Sequence, residues 1–203
     1  MQPELIDFNS KDVDKYIAAF NQAKNIVSKA YSSANSLQTM NKASDAYKDV
    51  LTAFKRFWGD NKPEIVAKKL KSLKEALISK PIQIKYDPKD TSSKAYVFCK
   101  DCATSKSVNY NPVMHFCQPL IADYSVLGTN SAAGTIIHEL SHLVLGTDDK
   151  IYGMNSCSIN LSDVDKLVNA DNYKYYCELF QLARLSLMPE LSDSYDLSHK
   201  PPR

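Results

Sequence analysis

The sequence predicts an α+β protein that is predominantly helical. Three observations carry this. Apolar residues recur at intervals of three and four over much of the first 80 positions and again past residue 130. Between these regions, residues 82–117 hold short runs in which apolar and polar residues alternate, the pattern of strands. Only 5 of 203 residues are glycine, against 44% apolar and 24% charged, the profile of an ordinary helix-rich globular chain. The expected order is a helical lobe over 1–80, a small twisted sheet over 81–122, a second helical lobe over 123–189 and a polar tail over 190–203. The length suits one domain with a sizeable core.

The elements follow in order. Residues 11–30 place Tyr16, Ile17, Phe20, Ile26 and Val27 at helical spacing. Residues 36–58 give a clearer stripe of Leu37, Met40, Ala43, Tyr47, Val50, Leu51, Phe54 and Phe57, which predicts one continuous helix. "GDNKP" at 59–63 breaks it. Asn61 is the expected cap of the next helix, with Pro63 in its first turn and an apolar stripe of Val66, Leu70, Leu73 and Leu77. After Lys80-Pro81 the period switches to two at Ile82, Ile84 and Tyr86. "AYVFC" at 95–99 and "VMHFC" at 113–117 predict two further short strands, with "DPKDTSS" as a loop. Ser162 is the expected cap of a short helix. Residues 169–187 predict a longer one, with Tyr173, Tyr176, Cys177, Phe180, Arg184 and Leu187 on one face.

Charge excludes little by its total, which is +2. Its distribution says more. Residues 1–80 carry 14 Lys+Arg against 9 Asp+Glu, and residues 123–203 carry 6 against 11. The second helical lobe is therefore acidic and draws basic ligands modestly, over about 8 Å at physiological salt. No nucleic-acid partner is expected. No run approaches the ~20 apolar residues of a membrane span, and the start "MQPELIDFNS" lacks the pattern of a secretory leader.

The chemistry is concentrated in "SAAGTIIHELSHLVL", residues 131–145. As a helix it has an apolar face of Ala133, Ile136, Ile137, Leu140, Leu143 and Val144. A second, polar face carries Thr135, His138, Glu139 and His142. Asn130 or Ser131 is placed to cap its start, and Gly146 to end it. Two imidazoles one turn apart can bind one metal ion, and the glutamate beside the first can serve as general base to a water on that ion. The competing reading is a helix with a solvated polar face. Context favours the metal, because "GTDDKIYG" at 146–153 supplies two carboxylates and a tyrosine where the chain turns back.

HELSH followed by Gly146-Thr147-Asp148-Asp149-Lys150-Ile151-Tyr152-Gly153 resembles the HExxH plus GTxDxxYG pattern of the aspzincins, the deuterolysin and peptidyl-Lys metalloendopeptidase group. "AAGTIIHE", "NADNY" and Cys117 closing a strand are also similar, so the resemblance covers about residues 95–180. It implies a zincin-like fold, one Zn2+ per chain, and endopeptidase activity on protein or peptide substrates. It implies His138, His142 and Asp149 as zinc ligands, Glu139 as catalytic base and Tyr152 as a donor to the oxyanion. Asp148 would be a solvated neighbour or cap a turn. Asp171 would lie near the pocket for a substrate side chain, its other reading being a helix cap. Lysine-specific members place a second acid three residues on, where this chain has Lys174. An Asp–Lys pair neutralises itself, so broad cleavage is expected rather than lysine specificity. His115 is assigned no role.

Five cysteines, all past residue 98, cannot all pair within one chain. Cys99 and Cys102 form a CxxC, which reads as a zinc half-site, a redox pair or part of a disulfide framework. Staples are the expectation, with Cys157 bonded to Cys177 and Cys117 to Cys99 or Cys102. A secreted monomer fits this pattern. The alternatives are a protease delivered into a host cell, or a zinc-free interaction module that uses the Lys-rich N-terminal helices.

Overall fold

The structure, a computed structural model, describes residues 1–98, 113–122, 125 and 128–181. Three helices precede most of the sheet: α1 (Ser10–Ser36), α2 (Asp45–Trp58) and α3 (Pro63–Ser79). Each turns one apolar face inward. Tyr16, Phe20, Ile26 and Val27 of α1, Phe54, Phe57 and Trp58 of α2, and Leu70, Leu73 and Leu77 of α3 are fully or almost fully buried in one continuous cluster.

The helix expected over 36–58 begins nine residues late. Residues 37–44 form turns, closed by Asn41 Oδ1 accepting from the Ala43 N–H at 3.0 Å and by Ser44 capping the Tyr47 N–H at 3.2 Å. Short polar side chains that bond nearby backbone compete with the helix, and here they outweigh the apolar spacing of Leu37, Met40 and Ala43. Asn61 does not cap α3, whose cap residue is Lys62 without a side-chain bond. Asn61 instead donates its amide to the carbonyls of Trp58 and Asp163, tying α2 to the second helical region.

The sheet has four strands in the order β1-β2-β4-β3. They are β1 (Glu4–Ile6), β2 (Gln83–Asp87), β3 (Ala95–Val97) and β4 (Val113–Cys117). β1 and β4 run parallel to β2, with Ile84 opposite Leu5 and Met114. β3 runs antiparallel to β4 and forms one edge. Ile84, Met114 and Phe116 face the helices and are buried, while Lys85 and His115 face out. His115 stacks on Tyr96 at 4.6 Å between ring centroids, a packing role.

Past β4 come α4 (Gln118–Ala122), α5 (Ala132–Leu145), α6 (Met154–Ile159), α7 (Asp163–Lys166, capped by Ser162 as expected) and α8 (Ala170–Glu178). α5 lies against α1, α3 and α8 and close to β3 and β4. Twelve of its fourteen residues are buried, the polar face included. That rules out the competing reading of a helix with a solvated polar face. α8 is shorter than expected, but Tyr173, Tyr176, Cys177 and Phe180 are buried as predicted. Arg184, Leu187, Cys99, Cys102 and the polar tail lie outside the described residues. Among the described residues no helix is long and apolar enough to cross a membrane.

Candidate metal centre

The helix that carries HELSH is fixed at both ends. Ser131 caps α5 by accepting the Gly134 N–H at 3.0 Å. Gly146 ends it in the left-handed conformation, φ 63° and ψ 37°, and its N–H reaches back to the carbonyls of His142 and Ser141. A second anchor arrives from α8. The buried Glu178 carboxylate accepts from Ser131 N–H at 2.9 Å, Ser131 Oγ at 2.8 Å and Asn130 N–H at 3.2 Å. A carboxylate at a helix N-terminus is well placed, yet burial still pushes its pKa up to about 7. It also explains Gly134, since a Cβ there would lie 1.9 Å from Glu178 Oε1.

Three candidate ligand atoms converge in front of α5. His138 Nε2 lies 3.0 Å from Asp149 Oδ1, His142 Nε2 lies 3.4 Å from it, and the two Nε2 atoms are 3.2 Å apart. The outer ring nitrogens are both engaged. His142 Nδ1 is 2.8 Å from the Thr147 carbonyl, and His138 Nδ1 is 2.8 Å from Asp171 Oδ1. A carbonyl only accepts, so Nδ1 of His142 carries the hydrogen, and the Asp171 carboxylate imposes the same tautomer on His138. In the neutral rings both Nε2 lone pairs then face each other and a carboxylate. Three electron-rich atoms at this separation call for a cation between them. Ligands 2.0–2.1 Å from a tetrahedral zinc are about 3.3–3.4 Å from one another, close to the observed spacings. The donor set therefore fits zinc, with a fourth position open.

The electrostatics agree. Burial opposes a charge on His138, but hydrogen bonds to Asp149 and Asp171 outweigh it and push its pKa up to about 10. His142 moves the same way, burial again being overcome by Asp149. Burial opposes ionisation of Asp149, and the two imidazoles reverse that, holding it well below the usual carboxylate range. The pocket thus demands positive charge. Glu139 differs, because burial raises its pKa despite both histidines. Tyr152 is 44% exposed, with its ring 6.3 Å from that of His138. Burial and the Asp149 carboxylate keep its phenol protonated far above neutral pH.

The structure thus brings His138, Glu139, His142, Asp149 and Tyr152 together. Asp148 Oδ1 accepts the N–H of the neighbouring Asp149 at 2.9 Å. Asp171 does not cap α8, whose cap residue is Asn169. It sits behind His138, 2% exposed, its oxygens engaged by His138 and the Gly153 N–H. Such a partner fixes ring orientation and raises ligand basicity. Lys174 lies 4.0 Å from Asp171 and donates to Asn130 Oδ1 at 2.8 Å. The expected disulfide between Cys157 and Cys177 is absent, and both are buried free thiols. Cys157 Sγ instead bonds the Met154 carbonyl within its own helix. Cys117 is also a buried free thiol, and its expected partners fall outside the described residues. Sequence reasoning missed Asn169, Asn172 and Glu178, whose one signal is polar residues within a stretch of buried aromatics.

Fold and site define a class: an α+β protein with a His-His-Asp centre suited to zinc. The aspzincin family model, described as lysine-specific metallo-endopeptidase, matches residues 39–178, and the chain belongs to that family. An extracellular protease of Aeromonas hydrophila is 53% identical over 57 residues, 26% of this chain. A peptidyl-Lys metalloendopeptidase of Armillaria mellea is 46% identical over 57 residues, 25% of this chain. The match spans 16% of the length of each of these relatives. A zinc peptidase from Grifola frondosa has the same fold, with a TM-score of 0.65 at 22% identity over 85% of this chain and 98% of that one.

Proposed function

We propose that this chain is a zinc metalloendopeptidase of one domain, with one zinc held by His138, His142 and Asp149. The observation that carries the proposal is the convergence of two Nε2 lone pairs and a carboxylate within 3.4 Å of one another. Zinc there would polarise the scissile carbonyl and bring the pKa of a water toward ~7. Glu139 takes the proton of the attacking water and returns it to the leaving amine, a task its burial-raised pKa suits. Tyr152, protonated and partly exposed beside the centre, donates a hydrogen bond to the oxygen that gains charge. Asp171 holds the His138 ring in place. A peptide substrate binds extended along β3, an edge strand among the described residues, through main-chain hydrogen bonds.

Broad cleavage rather than a lysine requirement rests on Lys174 standing where lysine-specific members carry a second acid. Asp171 itself, with both oxygens taken by His138 and the Gly153 N–H, is not offered to a substrate side chain. Similarity to an extracellular protease supports secretion. Three buried free thiols favour a second reading, delivery into a reducing cell interior. Metal analysis of the purified protein, with casein cleavage measured with and without chelator, tests the function. One zinc and chelator-sensitive cleavage are expected. No zinc and no cleavage would leave an interaction module.

A further inference from the structure

Two buried asparagines remain unused by this chemistry. Asn169 and Asn172, both 0% exposed, stand at the start of α8. The Asn169 side chain meets the backbone N–H groups of Lys150 and Ile151 at 3.0 and 3.2 Å. An N–H only donates, so the atom facing them is the amide oxygen. The Asn172 side chain meets the carbonyls of Phe57 and Cys157 at 2.7 and 3.1 Å. A carbonyl only accepts, so that atom is the amide nitrogen. The remaining contact, Asn169 Nδ2 to Asn172 Oδ1 at 2.8 Å, then runs in one direction. The amides form a relay from the end of α2 and from α6 to the backbone just after Asp149. An aspartate at 169 would set an oxygen against Asn172 Oδ1, so the relay calls for an amide.

The relay meets a chain already held on both sides. Asp148 N–H bonds the Val168 carbonyl at 2.7 Å, and Ala170 N–H bonds the Asp148 carbonyl at 3.0 Å. Asp171 takes the Gly153 N–H at 2.8 Å. Asp149 stands between these grips with a side chain 37% exposed, so packing alone does not aim it. A metal ligand has to be held within about 0.5 Å of its productive place. We propose that Asn169, locked in orientation by Asn172, is a positioning residue that aims Asp149 at the metal centre. The inference rests on the zinc reading of the site.

The test uses the purified full chain, stripped of metal, and two measurements. Zinc affinity is read by competition with a chromophoric chelator. Hydrogen exchange of the Lys150 and Ile151 amides is read in the metal-free protein. Asn169→Ala should speed exchange at those two amides while α1 and α3 keep their protection, and should weaken zinc binding on the order of tenfold or more. Asn169→Asp, which keeps an oxygen toward the loop, should recover part of both. Wild-type zinc affinity in Asn169→Ala, or unchanged loop exchange, overturns the proposal. Should that variant fail to fold, exchange in the wild-type protein decides. Protection of the two amides equal to that of α8 supports the clamp, and free exchange refutes it. A wild type that binds no zinc refutes the metal reading separately.

Discussion

The helices before the sheet and those after it are stabilised by different chemistry. In α1 to α3 the buried residues are apolar throughout. Past β4 the interior is mixed. Every buried polar or charged side chain among the described residues lies between Ser131 and Glu178, fourteen in all. Burying an apolar side chain is favourable by itself, whereas burying a polar one costs free energy unless its bonds are satisfied. The first region depends on apolar residues that keep the stripe and its volume. The second depends on particular partners: Asp171 for His138, Thr147 for His142, Asn172 for Asn169 and Ser131 for Glu178. The candidate metal centre sits where stability depends on polar bonds that have to be met.

The largest expected effect comes from a substitution that keeps shape in the second region. Glu139→Gln should retain zinc and lose about 10²–10⁴-fold in peptide hydrolysis. Metal content and casein turnover on one preparation check this. Full activity would remove Glu139 from the mechanism.

Next comes a ligand set against its support. Asp149→Ala removes a ligand atom and should lower zinc occupancy sharply. Asp171→Ala should weaken zinc by about 10–100-fold, the usual cost of losing a ligand's hydrogen-bond partner, with zinc still bound at saturation. Titration with a competing chelator separates the two. A reversed order would make Asp171 the third ligand.

The first region supplies the contrast. Leu70, fully buried in α3, should cost about 2–5 kcal/mol in stability when replaced by alanine. Zinc affinity should stay unchanged at temperatures where the variant is folded. Denaturant unfolding and the chelator titration check both halves. A parallel loss of zinc affinity would show that the two regions are not separable.

The same contrast explains what the sequence made legible. Stripes such as Val66, Leu70, Leu73 and Leu77 are local, so helices over 1–80 could be placed from spacing alone. β1 could not be placed, because three residues pair with Gln83–Lys85 far along the chain and leave no periodic trace. The late start of α2 depends on Asn41 and Ser44 choosing backbone bonds over helix. His138, Glu139 and His142 could be singled out because four-residue spacing on a helix is itself geometry, whereas the choice of Asp149 over Asp148 came only from the resemblance to the GTxDxxYG pattern. Asn169, Asn172 and Glu178 were not, since their partners at Phe57, Cys157 and Ser131 exist only after folding. Cysteine count suggested staples, but pairing depends on three-dimensional proximity that no spacing encodes.

The smallest effect is a pH slope that only the polar region should show. Glu178 has a folded pKa of about 7 against an ordinary value of 4.5, because burial outweighs its three hydrogen bonds and nearby Lys174. A carboxyl raised on folding favours the folded state when protonated. Its contribution is complete below about pH 4.5 and is lost as pH rises through 7, with a slope of at most ~1.4 kcal/mol per pH unit. Metal-free protein is the right sample, since zinc adds its own pH dependence through the histidines. Glu178→Gln should be less stable at every pH, because its amide nitrogen faces a backbone N–H that only donates. Its stability should nevertheless vary less than wild type between pH 4.5 and 7.5. Urea unfolding at several pH values compares the two curves. Parallel curves would mean that the donors from Asn130 and Ser131 hold Glu178 ionised through the whole range. The anchor at the start of α5 would then be a permanent charge rather than a titrating one.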